Sequence, residues 1–221
     1  MTPARMSRYR IACGGNTRKI LQLYRRNLQL SQEMFTVISC FEVALRNAID
    51  RHCQTILGSD WLKVAASPRG IFDNPQCKEA QNIIQGVLKQ FQKNGTPYSH
   101  QKLLAELGFG FWRYMFAKQY FNATGKGLLK IFPSKPTSSA IAQYNQTFIF
   151  DQLADINKIR NRIAHHEPIC FLPGQPVKDT GYVRQCYGQI QQLFQWMGID
   201  ETSLLYGLDH ITDICHSIDA L

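Results

Sequence analysis

The sequence predicts an all-α protein. Apolar residues recur every three or four positions through long stretches, Gly, Pro and Asn fall between those stretches, and no run alternates apolar and polar residues as a strand does. At 221 residues, a single helical domain spanning 1–221 is expected, with enough chain to bury a substantial core.

A first helix is expected from about Thr17 to Asn27. A longer one starts with Ser31 as its N-cap and runs through FTVISCFEVALRNAIDRHCQTIL, burying Phe35, Ile38, Phe41, Leu45, Ile49 and Cys53 and stopping at Gly58. Asn74 and Pro75 open a third helix whose apolar face is Ile83, Ile84, Val87, Leu88 and Phe91 and whose stop is Gly95. Ser99 caps a short helix. The aromatic segment LGFGFWRYMFAKQYF reads as a core plug rather than a base-stacking platform. LLKIFPSKPTSS reads as a linker, followed by a helix from about Ser139 to Ala164 that Pro168 ends. Helices near Tyr182–Met197 and Glu201–Ile218 complete the count.

Composition narrows the function classes. No apolar run approaches the roughly 20 residues of a membrane span, and the first residues lack the apolar segment of a secretory signal. A cytoplasmic protein without membrane contact is expected. Seven cysteines, none spaced as CxxC, read as reduced core fillers. The formal charge is +9, with Arg5, Arg8, Arg10, Arg18, Lys19, Arg25 and Arg26 crowding the N-terminal region. An excess of this kind suits a polyanion such as RNA, and equally a merely soluble basic protein.

Common hydrolase signatures are missing: there is no HExxH and no GxSxG, and NATGKG lacks the glycine spacing and the Ser/Thr of a phosphate loop. His165, His166 and Glu167 are consecutive, so their side chains diverge, and neither a metal nor another cofactor is expected.

The remaining constellation is DINKIRNRIAHHEP, residues 155–168. At about 100° per residue, Ile149, Leu153, Ile156, Ile159 and Ile163 form one stripe, with Arg160 on its edge. His165 stacks over Asn161, nearly opposite Arg160, so the two cannot converge within a straight helix. Either the helix ends or kinks near Ala164, or two copies of it assemble a composite site across a dimer axis. An imidazole titrating near neutrality can take a proton from a ribose 2′-hydroxyl, and a guanidinium can hold the scissile phosphate. The alternative is structural: Arg160 pairs with a buried carboxylate such as Glu42, and His165 caps the helix C-terminus.

IRNRIAHHEPI resembles the R-N-x-x-x-H signature of HEPN domains, helical bundles that include metal-independent ribonucleases of defence and toxin systems. More specifically, the chain is similar to bacterial Abi-like (abortive infection) proteins through LYRRNLQLS, FEVALRNAIDRH, LGFGFW and IRNRIAHHEPI, four blocks between about Leu23 and Ile169. The resemblance implies a HEPN-like bundle that works as a homodimer, with Arg160 and His165 catalytic and Asn161 orienting the site. Glu42, Arg46 and Asn47 fall in a recurring part of the Abi-like pattern, and with Arg162 and His166 they are candidates for supporting the site or binding RNA. The implied function is a metal-independent endoribonuclease of a phage-defence or toxin–antitoxin system, with an antitoxin or defence protein as a further partner. The alternative is a non-catalytic HEPN-like module that binds RNA, a nucleotide or a protein. The multi-span CAAX-type proteases that share the Abi name carry paired glutamates, which this chain lacks.

Overall fold

The computed structural model describes residues 3–221, with side chains from residue 6, which leaves the Arg5 side chain outside the described residues. The all-α expectation holds: the described residues contain eleven α-helices, one 3-10 turn at Leu128–Ile131 and no strand beyond an isolated bridge between Phe171 and Lys178. The helices are α1 (Pro3–Ala12), α2 (Thr17–Leu57), α3 (Trp61–Ala65), α4 (Lys78–Lys93), α5 (His100–Glu106), α6 (Phe109–Tyr114), α7 (Lys118–Ala123), α8 (Gln146–Ala164), α9 (Gly181–Trp196), α10 (Glu201–Leu204) and α11 (Ile211–Asp219). The chain divides into two compact units, the first made of residues 1–41, 155–195 and 199–221 and the second of 42–154 and 196–198.

The main departure from expectation is α2. The two helices expected around a break at Asn27–Ser31 are one helix of 41 residues, and its N-cap is Asn16, whose Oδ1 accepts from the Lys19 amide at 3.1 Å. Leu30 and Met34 are fully buried on either side of Ser31, so the apolar stripe passes straight through the expected break. Ile38, Phe41, Leu45, Ile49 and Cys53 are buried as expected, whereas Phe35 is 43% exposed. The stripe runs Leu23, Asn27, Leu30, Met34, Ile38 and Phe41, and Phe35 lies off it. Gly58, at φ +93°, terminates the helix.

In the first unit, Phe41 meets Phe194 of α9 edge to face at 5.3 Å, and Tyr9 of α1 meets Phe171 at 5.0 Å. Such contacts add about 0.5–1.5 kcal/mol each to the area that the rings bury. The expected helix Glu201–Ile218 is two, because Gly207 at φ +73° turns the chain between α10 and α11. Asp200 caps α10 by accepting from the Ser203 amide.

The second unit is built on a buried polar hub and an aromatic core. Asp50 accepts from Trp61 Nε1 at 2.8 Å, from His100 Nε2 at 2.7 Å and from Gln54 Nε2 at 2.6 Å, which ties α2, α3 and α5 together. Ser99 caps α5 as expected. Phe109, Trp112, Met115 and Phe116 are buried to within about 1%, so the aromatic segment packs the core. Gly70 closes the turn after α3, where a Cβ would sit 2.3 Å from the Val64 carbonyl and 2.4 Å from that of Ala65. α4 begins at Lys78, after a turn in which Asn74 Oδ1 accepts from the Gln76 and Cys77 amides. Ile84 and Phe91 form its buried edge, while Ile83 faces out at 41% exposure.

Residues 139–145 are loop rather than the first turns of α8. Ser139 Oγ accepts from the Ile141 and Ala142 amides, and Ser138 Oγ from that of Tyr144. Asn145 then caps α8 through the Phe148 amide. All seven cysteines are free thiols, and five are buried. Burial pushes Cys53, Cys170 and Cys186 up to about 12, which keeps them protonated packing groups. Among the described residues no helix is long and apolar enough to cross a membrane.

Candidate active site at the end of α8

The apolar stripe of α8 is as its sequence predicts: Ile149, Leu153, Ile156 and Ile159 are fully buried, and Ile163 is half-buried at the helix end. The helix stays regular through Ala164 and stops in a Schellman motif. The Glu167 amide donates to the Arg162 carbonyl at 2.8 Å, and the His166 amide donates to that of Ile163 at 2.9 Å. The residue that must adopt the left-handed conformation in this motif is usually glycine. Here it is His166, at φ +57°, a conformation uncommon for any residue but Gly, although Asn, Asp and His take it more often than the rest.

The turn delivers His165 and His166 to different places. Asn161, His165 and His166 are all exposed. His165 and Asn161 line a cleft of about 540 Å³ together with Lys158, Arg162, Pro173 and Tyr182. The Tyr182 hydroxyl donates to the Asp155 carbonyl at 3.1 Å. Burial, then the neighbouring Cys186 and Asp155, push its phenol well above the ordinary range, so it remains a donor. Lys158 is held by Asp155 at 2.9 Å, a surface pair of little energetic weight. His166 lines a second, mostly apolar cleft of about 330 Å³ with Tyr24, Leu28, Phe35 and Ile163.

The two arginines of the motif differ. Arg160 is half-buried, its Nε is enclosed without a hydrogen bond, and it does not line the cleft that holds His165. Within one chain, therefore, the helix end does not kink to bring Arg160 and His165 into one cleft. Arg162 is committed to the fold: its side chain is 15% exposed, it donates to the Pro168 carbonyl at 2.6 Å, and its Nε lies 3.8 Å from Glu167. It straps the chain that follows the Schellman turn back onto the helix.

A residue that sequence reasoning passed over completes this strap. Asn27 of α2 is 4% exposed, and its Oδ1 accepts from the amides of Ile169 at 2.9 Å and Cys170 at 3.2 Å. The signal was available: Asn27 interrupts the stripe Leu23, Leu30, Met34 with a polar group on the buried face, where an unpartnered amide is costly. Lys158 and Tyr182 of the cleft carried no such signal. Glu42, Arg46 and Asn47 belong to the second unit, on α2; Glu42 and Arg46 are half-buried, the Arg46 Nε is enclosed without a hydrogen bond, and Asn47 is exposed. Among the described residues no group of three or more His, Cys, Asp or Glu side chains is placed to hold a metal ion.

The described residues thus form an all-α chain that displays Asn161 and His165 at a strapped helix end. The model of the Abi-like protein family matches residues 5–170, about three quarters of the 221 residues, and the chain belongs to that family. The matched stretch ends at Cys170, whose amide Asn27 holds, so both partners of that clamp lie inside it. No curated protein and no solved structure gives a match.

Proposed function

We propose that this Abi-like protein is a metal-independent endoribonuclease of HEPN type, working in the cytoplasm in phage defence or as the toxin of a toxin–antitoxin pair, with an active site shared by two chains. The observation that carries the reading is the end of α8. Asn161 and His165 are exposed and line one cleft with Lys158 and Arg162, while Arg160 leaves the same helix about 140° from His165.

With Arg160 of one chain facing His165 of the second, the imidazole removes the ribose 2′-hydroxyl proton and the alkoxide attacks the adjacent phosphorus. The P–O5′ bond breaks, the departing 5′-oxygen takes a proton from the imidazolium or from water, and a 2′,3′-cyclic phosphate remains. The guanidinium holds the phosphate oxygens as their charge grows. The nucleophile belongs to the substrate, so no metal-activated water is required. Asn161, one turn before His165, orients the scissile unit. An antitoxin or defence-system protein would restrain the activity.

A second reading, a non-catalytic module that binds RNA, a nucleotide or a protein, is favoured by the committed Arg162 and the enclosed Nε of Arg160. Purified protein incubated with total bacterial RNA in EDTA separates the two. The enzyme produces fragments with cyclic-phosphate ends, and a His165→Ala variant that keeps its helical circular dichroism produces none. RNA retained but uncut by the wild type supports the binding module.

A further inference from the structure

The positive charge of this protein is concentrated in one segment. Seven of its 25 Lys and Arg residues precede Glu33, the first acidic residue, and none of its 16 carboxylates lies among residues 1–32. The remainder of the chain carries 18 basic against 16 acidic residues, so +7 of the net +9 belongs to the first 32 residues.

The structure sorts part of that charge onto one helix face. At about 100° per residue, Arg18, Gln22, Arg25 and Gln29 of α2 fall within about 60° of one another, and Arg18 and Arg25 stand about 10 Å apart along the axis. All four are exposed, and with Arg26 they line a shallow groove of about 440 Å³. Arg26 is turned by a 3.0 Å hydrogen bond to Gln29 Oε1. Among the described residues neither Arg18 nor Arg25 enters an ion pair. The opposite face of this stretch of α2 is spent on the core, with Leu23 and Leu30 fully buried.

We propose that this Arg/Gln strip is a binding site for the sugar-phosphate backbone of single-stranded RNA, separate from the cleft at His165. Guanidinium groups match phosphate oxygens two at a time, and interleaved glutamines supply donors and acceptors for sugar hydroxyls. An anionic membrane fits less well, because a helix that lies on a bilayer buries a whole apolar face, and here the exposed apolar residues beside the strip are a single row, Leu21, Leu28 and Phe35, of which Leu28 and Phe35 line the cleft of His166. The binding is sequence-independent and holds a long RNA on the protein while other residues act on it. The choice of RNA over other polyanions rests on the ribonuclease reading; the binding itself does not need cleavage.

The test uses the full chain and a fluorescein-labelled 2′-O-methyl RNA 20-mer, which lacks the nucleophile and cannot be cut. Its affinity is measured by anisotropy from 50 to 300 mM KCl for the wild type, for Arg18→Gln/Arg25→Gln, and for a charge-matched control, Lys89→Gln/Lys93→Gln, on exposed positions of α4. The strip variant is expected to bind about ten-fold more weakly, with a salt slope shallower by about 1.4, the contribution of two phosphate contacts on a single strand. The control is expected to match the wild type. No binding by the wild type, an unchanged strip variant, or equal losses in strip and control variants each overturns the proposal. So does binding of phosphatidylserine vesicles that is lost in the strip variant while RNA binding is retained. Cleavage of a 2′-hydroxyl RNA is scored separately: strip-dependent binding without cleavage upholds this site and removes the nuclease, and cleavage with strip-independent binding does the reverse.

Discussion

Replacing Asn27 by Ala removes the acceptor that two buried amides share. Asn27 Oδ1 is 2.9 Å from the Ile169 nitrogen and 3.2 Å from that of Cys170, and both of those residues are buried to within 1%. Leaving a buried N–H without a partner costs about 1–3 kcal/mol, so Asn27→Ala is expected to lose roughly 2–6 kcal/mol in all. For a chain of this length that lowers the melting temperature by roughly 4–24 °C. The assay is thermal unfolding together with hydrogen exchange, in which the Ile169 and Cys170 amides should exchange faster well below the melting transition. Gln22→Ala, on the exposed face of the same helix, is the control and should stay within about 0.5 kcal/mol of the wild type. An Asn27→Ala protein as stable as that control, with unchanged exchange at 169 and 170, would refute the clamp.

Three further outcomes follow from the geometry. Gly70→Ala drives a Cβ against the Val64 and Ala65 carbonyls, backbone that cannot step aside, and should cost roughly 2–3 kcal/mol or more in urea unfolding. His166 occupies the left-handed position of the Schellman motif, so His166→Val should be about 1–2 kcal/mol less stable than His166→Gly; both variants lack the ring, and equal stabilities would mean that the backbone is not under this constraint. Burial, then the charge of Lys130, hold the His52 imidazole below its ordinary range. The unfolded chain therefore takes up that proton first as pH falls below about 6.5, and the stability that neutral His52 supplies above that pH is lost as pH drops through the folded value. His52→Gln should flatten the decline in urea midpoint between pH 7 and 5, and an unchanged slope would assign the decline elsewhere.

Helical class, the stripe of α8, the aromatic core and the Ser99 cap were legible because each rests on local spacing or a local hydrogen bond. The false break in α2 came from reading Asn27 and Ser31 as punctuation. The apolar stripe through Leu23, Leu30 and Met34 carries the helix on, and Asn27 fits that buried face because its Oδ1 accepts from two amides more than 140 positions away, which no local window contains. Residues 139–145 look helical by composition, yet Ser138 and Ser139 hold nearby amides, and α8 starts only at Gln146 with Asn145 as its cap. The helix α1 gives no apolar stripe to read: among its described side chains Tyr9 alone is buried. The sequence offers Arg162 as a candidate for supporting the site or binding RNA; its hydrogen bond to the Pro168 carbonyl is not legible there, because that carbonyl comes close only after the Schellman turn. That turn was itself hidden by the absence of the usual glycine.

The central claim, a catalytic site that takes Arg160 from one chain and His165 from another, is tested most directly by mixing two dead enzymes. Arg160→Ala and His165→Ala proteins are purified separately, shown to be folded, unfolded and refolded together in equal amounts, and assayed on RNA in EDTA. If two chains share each site, half of the dimers formed are mixed and each of those keeps one of its two sites intact, so roughly one quarter of wild-type cleavage returns. A mixture as inactive as its two components, or substantial activity in either variant alone, would contradict the shared site.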